Sequence, residues 1–291
     1  MAEFLQILAS GLTVGAIYAL IGIGFSMIYN TSDIINFAQG EFVMIGGMSA
    51  VALSAGGAMP LVLAVPAAVA ITMLAGLAVE RLAIEPVRQS SLVTLIIITI
   101  GVSITIRGAV EILLGKNFYR LSSFSGDVPV DIGGALVNPQ AFWVVGSLLM
   151  VMAALAFFFN RTRLGKAMLA TAQNRLAAEL MGIDVKNMLR LSFALSALLG
   201  ALAGVLTAPI TLTRYDVGIM LGLKGFCAAI LGGLGTATGA LTGGVLLGLT
   251  EAMAAGYVSS AYKDAVAFLL ILAVLVLKPS GLFGRRAVHG V

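Results

Sequence analysis

Few side chains of this sequence are of a type that does chemistry. There is one histidine, His289, and one cysteine, Cys227. That excludes a His/Cys metal cluster, a Cys–His nucleophile pair and a disulfide framework. No Gly-x-x-x-x-Gly-Lys-Ser/Thr occurs, and Gly165-Lys166-Ala167 lacks both the upstream glycine and the hydroxyl. The chain therefore has no phosphate-binding loop of that kind. What remains is a handful of charges inside apolar runs: Arg107, Glu111, Lys224 and Glu251. A charge at the centre of a bilayer costs roughly 2.5–3.5 kcal/mol on insertion scales, so each needs a reason. Arg107 and Glu111 stand four apart on one helix and are expected to pair structurally. Lys224 and Glu251 either pair with each other or face a pathway. Lys263-Asp264 reads as an interfacial anchor, and His289 as a solvated tail residue. No ladder of Asp, Glu and His suits a proton relay. Such a chain passes a solute rather than transforming it, and is expected not to be an enzyme. Uphill movement would need energy from another chain.

Composition decides what holds these charges. The 291 residues are 60% hydrophobic and 10% charged, with mean hydropathy +1.07, against about 25% charged in a soluble domain. The expected fold is an all-α polytopic membrane protein, one domain over 1–291 with 8–9 transmembrane helices, some short or broken, and an internal pseudo-repeat. The net charge of +4 does not point to nucleic acid, because the basic residues gather in loops. Residues 1–30 hold no Lys or Arg, hence no basic n-region of a signal peptide. The first span is expected to be retained.

Apolar runs predict spans at 4–29, 42–57, 60–79, 92–114, 141–160, 191–213, 217–232, 238–256 and 264–278. Loop 80–91 carries Arg81 and Arg88, and the tail carries Lys278, Arg285 and Arg286. Both are expected on the cytoplasmic side. Loop 115–140 mixes Lys116 and Arg120 with Asp127 and Asp131 and reads as an external turn or lid. This places the N-terminus outside and the C-terminus inside. It requires nine crossings, or seven full crossings plus one hairpin that does not fully cross.

Two polar turns interrupt the apolar pattern: 29–41, holding Asn36, Gln39 and Glu41, and 232–239, holding Thr236 and Thr238. Each flanks a short helix and is followed by a Gly-Gly step, Gly46-Gly47 or Gly243-Gly244, which suggests a parallel repeat. Short, broken helices mark solute sites in membranes. Helix N-termini there could face a carboxylate, or the polar groups merely satisfy the turns' own backbone. With Lys224 and Glu251 these five residues are the solute-path candidates. Glycines four apart (Gly200 and Gly204; Gly235, Gly239 and Gly243; Gly244 and Gly248) permit close helix approach. They serve either packing within one bundle or an interface or gate.

The densest polar feature is residues 161–190. It holds six of the 17 basic residues: Arg161, Arg163, Lys166, Arg175, Lys186 and Arg190. A basic loop between spans stays on the cytoplasmic side. Within it, Asn174 to Gly182 predicts a short amphipathic helix ended by Gly182.

Four motifs, in order, carry a resemblance. They are Gly11-Leu12-Thr13-Val14-Gly15-Ala16-Ile17-Tyr18-Ala19-Leu20 and Ile35-Asn36-Phe37-Ala38-Gln39-Gly40-Glu41. Then come Gly165-Lys166-Ala167-Met168 with Ala172-Gln173-Asn174, Ala178 and Met181-Gly182-Ile183. Last are Ala228 to Gly235 with Gly239-Ala240, and Lys278-Pro279-Ser280-Gly281-Leu282-Phe283-Gly284. Over about 5–284 the chain resembles the permease subunits of branched-chain amino acid ABC importers, of the LivH type. The family pattern has Asn-Phe-Ala-His-Gly-Glu, and Gln39 stands here at the His position. An amide both donates and accepts but gains no charge near neutral pH.

The resemblance implies a heteromeric inner-membrane importer. Its partners would be a second, LivM-like permease, two cytoplasmic ATPase subunits and a periplasmic solute-binding protein. ATP would be used by those partners, and the chain itself would need no cofactor. It implies that Gly165, Lys166, Gln173, Asn174, Arg175, Glu179 and Gly182 lie on or near the ATPase groove, with Gly165 and Gly182 allowing sharp turns into and out of the coupling segment. The cargo would be a branched-chain amino acid. Near relatives carry urea, short amides or aromatic acids, and a stand-alone facilitator for a small neutral solute is the alternative of another class.

Overall fold

The structure, a computed structural model, describes residues 2–88 and 90–284. Arg285, Arg286 and His289 lie outside the described residues. In hydrocarbon each backbone N–H and C=O must be paired within its own segment, so apolar runs become helices. They are α1 (Ala2–Ser32), α2 (Gln39–Ser54), α3 (Leu61–Val79), α4 (Leu92–Leu114), α5 (Pro139–Arg161), α6 (Arg163–Gln173), α7 (Arg175–Leu180), α8 (Val185–Thr211), α9 (Val217–Gly232), α10 (Ala237–Tyr257) and α11 (Lys263–Leu277). A hairpin of β1 (Val130–Ile132) and β2 (Ala135–Val137) lies before α5. Beyond α3, a π turn over Glu80–Ile84 and a 3-10 turn over Glu85–Val87 prolong the span into what reads in sequence as loop.

Among the described residues, seven segments are long and apolar enough to cross a bilayer. The other two runs, α2 and α9, have 16 residues each. At 1.5 Å per residue each spans about 24 Å, short of a ~30 Å hydrocarbon core. The expected runs 92–114 and 217–232 coincide with α4 and α9. α2 starts earlier than the expected 42–57, because Asn36 starts the helix. Its Oδ1 accepts from Ala38 N at 3.1 Å and its carbonyl from Gln39 N at 3.1 Å. Gln39 and Glu41 are therefore helical, not part of the turn.

Residues 2–7 lie beside Gly133, Gly134 and Gly256. At the other end Asn30 meets Gly235, Arg175 meets Asp33, and Gly233 packs on Gly284. Ala2 and Gly284 thus lie at opposite ends of the bundle, with segment 161–190 at the end of Gly284.

The long helices α1 and α8 form the centre. Each is followed by a polar break with a left-handed non-glycine residue, Asp33 (φ 55°) or Leu212 (φ 65°), and each break leads into a 16-residue helix. α9 runs beside α1, with Gly225 on Ile21 and Ala229 near Gly22, while α2 runs beside α8, with Phe42 on Gly200 and Gly46 on Ala201. α10 lies antiparallel on α1, with Gly248 on Gly15 and Gly244 on Ala19, and α3 packs on α8 through Gly76 at Phe193 and Ala197. α2 and α9 cross where Gly40 meets Gly218 and Gly222. α1–α4 and α8–α11 are therefore two copies of one motif in opposite orientation. Each long helix packs on the other copy's short one, and α5–α7 connect the two. This corrects the parallel repeat expected from the Gly-Gly steps. The counterpart of 33–38 is the break 212–216, and residues 233–236 form a turn at the end of the bundle.

The glycine spacings serve packing within this bundle. A Cβ on Gly46 would stand 2.5 Å from Ala201 Cα, and one on Gly244 2.5 Å from Ala19 N. Both contacts are to backbone, which cannot give way as a side chain can. Gly244→Val is expected to lower stability by at least about 1–3 kcal/mol, the cost of overpacking a close-packed core. Thermal unfolding in detergent measures it, and an unshifted midpoint would contradict the α1–α10 packing.

Candidate functional site

Segment 161–190 is more structured than its sequence suggests. α6 is capped by Thr162, whose Oγ1 accepts from Gly165 N at 3.0 Å. It buries Gly165, Met168 and Thr171 and leaves Lys166 and Gln173 exposed. Asn174 is extended and caps α7, its Oδ1 accepting from Ala177 N at 3.0 Å. α7 ends as expected at Gly182 (φ 80°), with Ile183 N donating to Ala178 O at 3.0 Å. Gly165 is not a turn residue, which corrects that expectation. It lies within α6, and a Cβ there would strike the Phe158–Phe159 backbone at the end of α5. The turn into the segment is made by extended Thr162.

Of the seven coupling candidates, Lys166, Gln173, Asn174, Glu179 and Gly182 are exposed, Arg175 is half-buried and Gly165 is buried. Arg175 pairs with Asp33 at 3.0 Å, tying α7 to the break after α1. Leu176, Leu180 and Met181 are 68%, 80% and 83% exposed. Three large apolar side chains thus stand out of a basic segment.

The first break is buried. Gln39 joins three helices: Nε2 donates to Ser196 O at 3.1 Å, and Ser196 Oγ lies 2.6 Å from Gln39 Oε1 and 2.8 Å from Gly24 O. Asn36 and Gln39 are 1% and 0% exposed, so both act in packing in this conformation. Glu41 Oε1 accepts from Ser103 at 2.7 Å and from Arg107 at 3.0 Å. Arg107 therefore pairs across helices with Glu41, not with Glu111 as the spacing suggested. Glu111 pairs with Lys116 at 2.8 Å, and that hydrogen bond holds the Lys116 ammonium above its usual range.

Lys224 and Glu251 do pair, at 2.7 Å, and Tyr18 donates to the other Glu251 oxygen at 2.9 Å. Asp264 lies 2.7 Å from Lys224, so it belongs to this cluster and is more than an interfacial anchor. The cluster lines a cavity of about 430 Å³, which also reaches Arg214, Asp216 and Phe118 at the end opposite α6 and α7. Thr236 and Thr238 sit at the α6–α7 end, where Thr236 Oγ1 bonds Gly233 O at 3.0 Å and Thr238 is exposed. The last quoted motif folds back beside them: Leu282 N and Phe283 N donate to Leu231 O and Gly232 O at 2.9 and 2.8 Å.

Central paired half-length helices, buried ion pairs and a basic helical segment at one end define a polytopic helical membrane permease. Over residues 7–275 the chain matches the family described as branched-chain amino acid transport system / permease component, and it belongs to that family. It is 36% identical to the high-affinity branched-chain amino acid transport system permease protein LivH of Escherichia coli K12, covering 99% of this chain and 98% of that one. It is 35% identical, over the same shares, to the corresponding protein BraD of Pseudomonas aeruginosa. Among solved structures, PsaBC from Streptococcus pneumoniae in complex with Fab shares the fold, with TM-score 0.52 at 15% identity over 97% of this chain and 94% of that one.

Proposed function

We propose that this chain is the membrane-spanning permease subunit of an ATP-driven importer in the inner membrane. Its cargo is a branched-chain or closely related amino acid delivered by a periplasmic binding protein. A second permease chain completes the pathway, and two cytoplasmic ATPase subunits supply the work. The chain itself needs no cofactor and transforms nothing.

The observation that carries this reading is the α6–α7 segment. It is basic, helical and tied to the central helices by Arg175–Asp33, and it ends in an exposed apolar ridge. A short helix so tethered passes a push from a docked subunit to α1 as a rigid element. The cavity at the opposite end, holding Lys224 and Glu251, suits the side on which solute arrives. In this orientation α6, α7 and the C-terminus are cytoplasmic, and the N-terminus and residues 115–138 are periplasmic.

Sidedness is testable because Cys227 is buried and gives little background. F118C should react with a membrane-impermeant maleimide in intact cells, and L180C only after permeabilisation. The reverse pattern would overturn the orientation and the coupling role with it. For cargo, the purified cognate binding protein should carry leucine, isoleucine or valine. Urea, an amide or an aromatic acid in its place would overturn the substrate.

A further inference from the structure

The ion pairs of Glu251 and Glu41, both within the bundle, differ in one respect. Both Glu251 oxygens take a donor, one from Lys224 and one from Tyr18. The Glu41–Arg107 pair is half-made. It uses one carboxylate oxygen and one terminal nitrogen, while Glu41 Oε2 and Arg107 Nε are buried with no partner. Glu41 is 1% exposed. A guanidinium and a carboxylate can close a bidentate pair that satisfies both. Leaving charged valences open in a low-dielectric interior is costly unless something else occupies them.

That something has a definable chemistry. Beside the pair is a second cavity of about 200 Å³, at the crossing of the two half-length helices. Its polar wall is Glu41, Ser103 and Arg107, and its other walls include Phe25, Phe37, Phe226 and Ile104. The three phenylalanines form one cluster, with Phe226 5.4 Å from Phe25 and 5.5 Å from Phe37 between ring centroids. An open acceptor of negative charge and an open donor of positive charge stand side by side against an apolar wall. This is the complement of a zwitterion with a hydrocarbon side chain. Gly218 of α9 covers the free oxygen, since a Cβ there would stand 3.2 Å from Oε2, so a small displacement of α9 from α2 uncovers it.

We propose that Glu41, Arg107 and this apolar wall form a transient membrane subsite for an α-amino acid with an aliphatic side chain. Glu41 Oε2 receives the ammonium, the free Arg107 N–H receives the carboxylate, and the side chain lies against Phe25, Phe37 and Phe226. The inference rests on the importer reading above and adds to it a selectivity filter within the membrane.

The test uses the whole complex in vesicles, with binding protein loaded with leucine or with valine. Glu41→Gln keeps the shape but weakens the hold on an ammonium group. It should cut initial uptake by about tenfold or more, the worth of a hydrogen bond to a charged group, at unchanged yield of assembled complex. Ile104→Trp leaves the ion pair intact and narrows the cavity. It should lower leucine uptake more than valine uptake, shifting their ratio by about tenfold, the scale of discrimination for one methylene. Wild-type uptake in Glu41→Gln, or an unchanged leucine-to-valine ratio in Ile104→Trp, would overturn the subsite while leaving the importer reading intact. A wild-type complex that hydrolyses ATP but moves neither amino acid would overturn the importer reading and the subsite together.

Discussion

Replacing residues 175–182 by a Gly/Ser linker of equal length is expected to strip the ATPase subunits from the permease and leave the membrane bundle folded. α7 buries Ala178 and half-buries Arg175, and the rest of its surface faces outward. Among the described residues its one ion pair to the bundle is Arg175–Asp33, a partly exposed contact worth about 0–1 kcal/mol. The bundle therefore loses little. The docking surface loses the exposed Leu176, Leu180 and Met181 together with the cap at Asn174 and the stop at Gly182. Co-purified ATPase should fall by about tenfold or more, since burying one Leu or Met side chain is worth about 1.5–3 kcal/mol. Affinity purification with quantification of the ATPase chains measures it, beside a thermal unfolding scan. Unchanged ATPase yield with the helix removed would mean that the subunits dock elsewhere.

The second large effect is expected at Lys224. Its ammonium lies within 2.7 Å of both Glu251 and Asp264, and the contacts join α9, α10 and α11. Lys224→Met removes the cation and leaves Glu251, 6% exposed, as an uncompensated buried charge. Breaking such a pair from one side costs about 3–5 kcal/mol. The double variant Lys224→Met/Glu251→Gln removes both charges and should recover most of that loss. A double-mutant cycle of unfolding midpoints in detergent reads the coupling directly. A single variant as stable as the parent would show that this pair does not hold the three helices together.

How far the sequence discloses this architecture depends on the range over which each feature is encoded. The limits of α4 are local: Ser91 caps its start, with Oγ accepting from Thr94 N at 3.3 Å, and Gly115 (φ 82°) ends it. An apolar run bounded by such signals is readable. α7 was legible for the same reason, through its Asn174 cap and Gly182 stop. α6 was not, because Arg161, Arg163 and Lys166 gather at its start and read as a loop, although Leu164, Met168 and Leu169 give it apolar residues at helical spacing.

The partner of Arg107 shows the limit more sharply. Glu111, four residues away, fits every local rule, whereas the true partner Glu41 is 66 residues distant in sequence. No spacing rule reaches across three helices. The inverted repeat was hidden likewise. Its two copies share shape, a long helix, a left-handed break and a half-length helix, but little visible sequence. The two Gly-Gly steps, alike in sequence, serve different contacts: Gly46 meets α8 and Gly244 meets α1. The solute-path candidates divide along the same line: residue type pointed to Glu41, Lys224 and Glu251, and only packing separated them from Gln39, Asn36 and the two threonines.

The central claim is that this permease moves an amino acid with work drawn from an attached ATPase through α6 and α7. It is tested most directly by uptake of labelled leucine into vesicles holding the permease pair, with and without the ATPase subunits, ATP inside and loaded binding protein outside. Accumulation above the external concentration is expected only when the ATPase subunits are present and α7 is intact. Accumulation by the permease pair alone, or by a complex whose α7 has been replaced by the linker, would contradict it.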